Sequence, residues 1–299
     1  MVIILQQLFI LYMFLFLGWF FGKCHKEQAA HTGILSFLLV HLFLPCKVFI
    51  TFSRNFTVTY ISQNRTTILI SIAILVFLVV LSKCLAHLLT KDSYTRKVYR
   101  YTLTISNYAY MGYALVESLF GPEGLTDLIL FCIPFAMYTY TFGYSMLTGT
   151  GSSLKRVLNP LTCSIILGII FGLFGIPIPD LLGSILNSSS ACVAPVSMLL
   201  TGFSLSVFSL REIVSDKVTY LVVLLRLVAS PLIIFAGCKL FGLTAMLPSA
   251  VMMACMPCGL NTIIFPKLVG EDYKTGARLA LLSHLFSCVT IPVWLSILM

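Results

Sequence analysis

The chain alternates between long apolar runs and short polar links. Ten runs stand out, near residues 2–22, 29–53, 67–89, 101–120, 124–148, 158–175, 184–210, 218–241, 245–266 and 277–299. A helix needs about 20 residues to cross the hydrocarbon of a bilayer, and each run has about that length. The pattern therefore predicts an all-α membrane protein with ten transmembrane helices and no soluble domain. Met1 leads straight into the first run without the basic start of a cleaved leader, so that run is read as structure.

Two runs carry residues that a continuous helix in lipid avoids. The ninth contains Cys255-Met256-Pro257-Cys258-Gly259-Leu260-Asn261, and the fourth contains Ser106-Asn107-Tyr108-Ala109-Tyr110-Met111-Gly112-Tyr113. Pro and Gly are common in membrane helices, and an Asn can simply bridge two of them, so either run alone says little. Their placement says more, because the chain resembles itself at a spacing near 150 residues. Pro45 corresponds to Pro195, and Gly121 in ESLFGPEGLTDLIL corresponds to Gly270 in PKLVGEDYKTGARL. With five runs in each half, the second half must be inverted. This predicts a first repeat over 1–148, a short cytoplasmic link over 149–157 and a second repeat over 158–299. The two irregular runs then occupy matching places. Non-helical backbone at membrane depth survives only where protein or a watery cavity satisfies it, and paired broken helices mark the site of many transporters. Free N–H groups at the start of a half-helix favour an anion.

Composition agrees with the pattern. Hydrophobic residues make up 59% of the 299, charged residues 10%, and mean hydropathy is +1.02. The net charge of +9 does not imply nucleic acid, because the cations sort by side. Links after odd-numbered runs hold Lys23, Lys26, Lys91, Arg96, Lys97, Arg100, Lys155, Arg156, Arg211, Lys217, Lys267, Lys274 and Arg278. Links after even-numbered runs hold only Arg54, Arg65 and Lys239. The positive-inside rule puts the first set in the cytoplasm and both termini outside. The ten cysteines are scattered, and the Cys255-x-x-Cys258 pair lies mid-membrane without further ligands, so thiol packing is expected rather than a metal.

Ionisable residues inside a span are functional candidates. Lys47, Arg226 and Glu117 qualify, with Glu117 placed near the outer end of its helix, while Lys83 is close enough to an end to snorkel. No span centre holds a carboxylate pair of the kind that hard cations need. Amides, half-helix dipoles and a cation such as Arg226 or Lys47 suit a small carboxylate instead. The histidines, His284 in the tenth run among them, are read as packing residues with a lesser chance of carrying protons. The TGTGSS stretch at 148–153 lacks P-loop spacing and is a turn, and the three Asn-x-Ser/Thr sequences at Asn55, Asn64 and Asn187 are short enough to arise by chance. No nucleophile–base pair, cofactor motif or ATP site is present, so no enzyme activity or cofactor is expected.

In FLPCKVF, SNYAYMGYALVESLFG, NPLTCSIILGIIFGLFGIPIPDLL, APVSMLLTGFSL, MPCGLN and TIPVWL the chain resembles the auxin efflux carrier family, which includes plant PIN-FORMED carriers and bacterial malate permease-like proteins. The likeness runs through the whole chain. It implies two inverted five-helix repeats, with helices four and nine broken and crossing at mid-membrane. Helices one, two, six and seven would form a scaffold and a homodimer contact, past which the other helices carry substrate in an elevator movement. It further implies organic-anion binding at Asn107 and Asn261, with Ser106, Tyr108, Gly112, Pro257 and Gly259 around them. H+ or Na+ would be the coupling ion, and the compact loops suggest a bacterial inner membrane. The family's helix-four Pro is replaced here by Ala114, which leaves Gly112 to supply the bend. A receptor or channel that binds a ligand without coupled transport is the alternative.

Overall fold

The computed structural model describes residues 2–25, 32–151, 158–207 and 216–298. Lys26, His31, Lys155, Arg156, Arg211 and most of the predicted 149–157 link lie outside them. The described residues are helical almost throughout. The elements are α1 (Val2–Cys24), α2 (Gly33–Asn55), α3 (Val58–Asn64), α4 (Thr67–Leu89), α5 (Ser93–Thr104) and α6 (Tyr108–Thr148). They continue with α7 (Pro160–Phe174), α8 (Asp180–Ser206), α9 (Lys217–Leu240), α10 (Leu247–Cys255), α11 (Asn261–Leu268) and α12 (Lys274–Leu298).

Seven of these helices are long and apolar enough to cross a membrane: α1, α2, α4, α6, α8, α9 and α12. The shortfall from ten runs has three physical causes. The fourth and fifth runs are fused into the 41-residue α6, the sixth is the shorter apolar α7, and the ninth is cut into α10 and α11. Within α6 the axis breaks at Gly121, whose φ of 71° and ψ of −171° are closed to residues with a Cβ. Pro122 follows, and a missing N–H is harmless in the first turn after such a break.

Burial runs opposite to the habit of a water-soluble helix. In α4 the buried face is Thr67, Ser71, Leu75, Leu78, Ser82 and Ala86, while Leu69, Val76 and Val80 point outward. Lipid solvates the large apolar side chains as well as a core would, so helices meet through small and hydroxyl-bearing residues. Ser71 donates to the Phe131 carbonyl, and Thr104 donates to Ser82 at 2.9 Å, which ties α4 to α6 and α5.

Close glycine contacts join α1 to α8 and α2 to α7. A Cβ on Gly202 would lie 2.1 Å from the Leu15 carbonyl oxygen, and one on Gly18 would lie 2.2 Å from that of Leu199. On the other pair, a Cβ on Gly172 would stand 2.6 Å from the Phe56 oxygen. Backbone therefore packs on backbone, as glycine alone permits.

Two π-turns accompany prolines. Leu39–Phe43 precedes Pro45 in α2, and Leu225–Ala229 precedes Pro231 in α9. Proline cannot donate to the carbonyl four residues back, and the wider turn accommodates the defect without ending the helix. The second turn carries Arg226.

Candidate functional site

Two helix breaks meet in the protein's interior. The first follows Thr104, where Ile105 turns extended and α6 restarts at Tyr108; the second follows Cys255, where Met256 turns extended and α11 restarts at Asn261. The extended segments pair through a short antiparallel bridge between Ser106 and Cys258, and the Asn107 N–H donates to the Pro257 carbonyl at 2.8 Å. Proline thus stops α10 and then supplies the acceptor that satisfies its partner. The bend lies upstream of Gly112, contrary to the expectation that this glycine provides it. Gly112 has helical angles (φ −63°, ψ −44°), and its use is closeness, since a Cβ there would come within 3.3 Å of the Met256 side chain. Ala114 is an ordinary buried helical residue, and the helix is broken without a proline.

Four half-helix ends converge on this crossing. The carboxyl ends of α5 and α10 share one cation. Arg226 is fully buried, and its guanidinium donates to the carbonyls of Leu103 at 3.3 Å, Met253 at 3.1 Å and Met256 at 3.4 Å. A helix carboxyl end carries about half a negative charge. Two such ends balance one guanidinium, which explains how an arginine is held here by backbone alone. The residue read from the sequence as a charge partner for substrate is bound to the frame.

The amino ends of α6 and α11 border a small cavity of 20 Å³, room for about one water. Ser106, Asn107, Tyr108, Gly259 and Asn261 line it, as do Thr139 and Tyr140 of α6, which the sequence reading missed. Pro257 and Gly112 are not among the lining residues but act through the backbone contacts already described. First-turn N–H groups of a helix have no carbonyl of their own to meet, so those of Tyr108 and Ala109 are donors beside the cavity. Asn261 donates from Nδ2 to the Tyr101 hydroxyl at 3.1 Å. Asn107 Nδ2 lies 3.1 Å from His284 Nε2, and Asn107 Oδ1 is buried without a partner among the described residues.

His284 comes from α12, which walls the crossing from behind. Its ring is buried, with Nδ1 2.7 Å from the Ala280 carbonyl. The adjacent Ser283 accepts the Cys258 N–H at 2.9 Å. Sequence inspection treated His284 as a lone packing residue. The overlooked signal was the polar face of Ser283 and His284 with Ser287 one helical turn on, in an apolar run. Lys47 lies elsewhere: buried on α2, it is ion-paired with the half-exposed Glu117 of α6 and takes no part in the cavity lining. Cys255 and Cys258 are buried free thiols.

Comparison with known proteins bears on this geometry. The model of a family described as "membrane transport protein" matches residues 3–156 and 150–295. The chain is 25% identical over 285 residues to an uncharacterized transporter of Methanocaldococcus jannaschii, covering 90% of each chain. It is 27% identical over 201 residues to an uncharacterized transporter of Methanothermobacter thermautotrophicus, covering 63% of each. Both relatives are described as transporters and the family as one of membrane transport, in keeping with an apolar, many-span helical bundle. The family match spans nearly the whole chain, and the chain therefore belongs to the membrane transport protein family, that of the auxin efflux carriers.

Proposed function

We propose that this protein is a secondary transporter of small organic anions, which bind between the helix breaks at Asn107 and Asn261. One observation carries the reading: the positive amino ends of α6 and α11 face a single cavity, while the negative carboxyl ends of α5 and α10 are turned away onto Arg226. A carboxylate in that cavity gains two half-helix dipoles and free N–H donors. The cavity in this conformation is far smaller than an organic acid, so binding requires the crossing to open.

An elevator movement fits the packing. Helices α1, α2, α7 and α8 are interlocked backbone to backbone at their glycines, as a fixed scaffold should be. Among the described residues, the polar links between this group and the crossing include Tyr12 with Ser287 at 2.6 Å, Lys47 with Glu117, and Ser197 to the Tyr110 carbonyl at 3.1 Å. Counting both broken helices and dividing α6 at Gly121 gives ten passages in two inverted halves. The matched pairing of α1 with α8 and α2 with α7, and the positive φ of both Gly121 and Gly270, support that count. In this arrangement both termini lie outside, and the scaffold supplies the contact of a homodimer.

Thermal stabilisation of the purified protein tests the proposal, using malate, lactate and indole-3-acetate with and without sodium. A ligand that binds only the folded state raises Tm by mass action. The expected result is a rise with one acid class that disappears in Asn107→Ala and Asn261→Ala. A rise of equal size in both variants would remove the site from the crossing, and saturable binding with no flux into vesicles would make the protein a receptor.

A further inference from the structure

We infer that His284 couples proton uptake to anion binding by reversing the hydrogen-bonding face that Asn107 turns to the cavity; this rests on the organic-anion reading above. The argument begins with the histidine's tautomer. Ala280 O only accepts, so the ring nitrogen 2.7 Å from it, Nδ1, carries a hydrogen. In the neutral ring Nε2 is then a lone pair, and it must receive a donor. Asn107 supplies one from Nδ2 at 3.1 Å. The amide is thereby fixed with its NH2 toward the histidine, and the buried, unpartnered Oδ1 is what remains for the cavity.

That arrangement is wrong for an anion. A carboxylate only accepts hydrogen bonds, and an amide oxygen facing it repels it. Protonation removes the conflict. With a hydrogen on both ring nitrogens, Nε2 becomes a donor and no longer tolerates the Asn107 NH2. A half-turn of the amide about its terminal bond gives Oδ1 to Nε2–H and swings the NH2 into the cavity, where it donates to the carboxylate. One proton from solvent enters with each anion and leaves with it, and no other group changes its hydrogen count. Asn261 is not coupled to the proton in this way, since the Tyr101 hydroxyl 3.1 Å from its Nδ2 both donates and accepts and so pairs with that amide in either sense.

The surroundings leave the buried ring neutral until an anion arrives. The titratable or charged groups beside the breaks and on the adjoining turns include Tyr12 on α1, Tyr108 on α6, Arg226 on α9, Cys255 and Cys258 beside the second break, and Cys288 on α12, while the α6 carboxylates Glu117 and Asp127 are engaged elsewhere, with Lys47 and Tyr60. Among the described residues no carboxylate bonds the ring, whose partners are Asn107 and the Ala280 carbonyl, so nothing there holds it charged without substrate. The fully buried cation, Arg226, already sits against two helix carboxyl ends that offset it.

Calorimetric titration of the full-length protein with malate and with lactate, between pH 7 and 8 in Hepes and in Tris, measures the protons taken up per anion. Both acids stay ionised over that range. The expected result is close to one proton per anion and about tenfold weaker binding for each unit rise in pH. His284→Gln is expected to bind with no proton uptake and no pH dependence, because a glutamine amide pairs with Asn107 in either sense. Binding in the wild type without uptake, or unchanged uptake in His284→Gln, would overturn the coupling and leave the organic-anion site standing. Failure of every acid to bind the folded wild type would overturn the organic-anion reading and the coupling with it. Should the variant not fold, 15N spectra of histidine-labelled wild type decide the matter. A buried neutral ring that becomes imidazolium on adding malate supports the coupling, and one that stays neutral refutes it.

Discussion

Replacing Arg226 with methionine removes the cation but keeps most of the side chain's volume, and the structure sets the size of the effect. Three guanidinium bonds of 3.1–3.4 Å are lost, each worth about 1 kcal/mol at those lengths. The carboxyl ends of α5 and α10 also lose their counter-charge, at about 1 kcal/mol each in a buried setting. Against these roughly 5 kcal/mol stands the burial of the guanidinium itself, no longer needed and worth about 3 kcal/mol on an insertion scale. The net expectation is destabilisation by about 2 kcal/mol, read from unfolding of the purified protein in increasing dodecyl sulfate. Arg226→Lys is the sharper case. It keeps the burial penalty, while a single ammonium on a flexible stem does not span three carbonyls in two helices. Lysine should therefore be no more stable than methionine. Near wild-type stability in Arg226→Lys would show that charge alone matters, and a methionine variant as stable as wild type would refute the balance of dipoles altogether.

The remaining expectations concern the frame. Gly202→Ala places a methyl 2.1 Å from the Leu15 oxygen, so α1 and α8 must part by about 1 Å at a loss of about 1–3 kcal/mol; an unchanged Tm would contradict that contact. Gly121→Ala forces a Cβ into a glycine-only conformation and should lose about 2 kcal/mol, whereas stability equal to wild type would mean the α6 break sits elsewhere. Glu117→Gln leaves the Lys47 ammonium buried without a counter-ion, while Lys47→Met leaves only a half-exposed carboxylate. The first should destabilise more than the second, and the reverse order in melting curves would show that the pair is solvated.

Spans and breaks were largely legible because each has a local cause. Apolar length marks a span, and Pro257 with Gly259 marks an interruption whatever surrounds it. The first break was harder, since Ser106 and Asn107 interrupt a helix only when a second extended strand, Met256 to Cys258, is there to pair with them. Its upstream half-helix was hidden too. The 93–100 stretch, Ser-Tyr-Thr-Arg-Lys-Val-Tyr-Arg, is too polar for a hydropathy window, yet it forms the first two turns of α5 beneath Asp92, whose side chain caps the Thr95 N–H at 2.7 Å. That same N–H bond holds the exposed Asp92 carboxyl below its usual pKa. The roles of Arg226 and His284 were not legible, because each depends on partners more than a hundred positions away: Leu103 for one, Asn107 for the other. Charge and burial flag such residues as unusual, but only the fold says whether they meet a substrate or a carbonyl.

The cross-pairing of α1 with α8 and α2 with α7 has a consequence for synthesis. When α1 enters the bilayer, the helix whose glycine it must clasp is still roughly 150 residues from being made, a wait of about 10–30 s at ordinary translation speeds. During that interval the first half sits in lipid with its small-residue seams open, and any early closure against a wrong neighbour would have to be undone. Two separately translated halves should accordingly recover their partners when made in the same cell, since the chain itself already assembles that way. The cavity between the breaks, with Asn107 from one half and Asn261 from the other, comes into being only when the second break has been made.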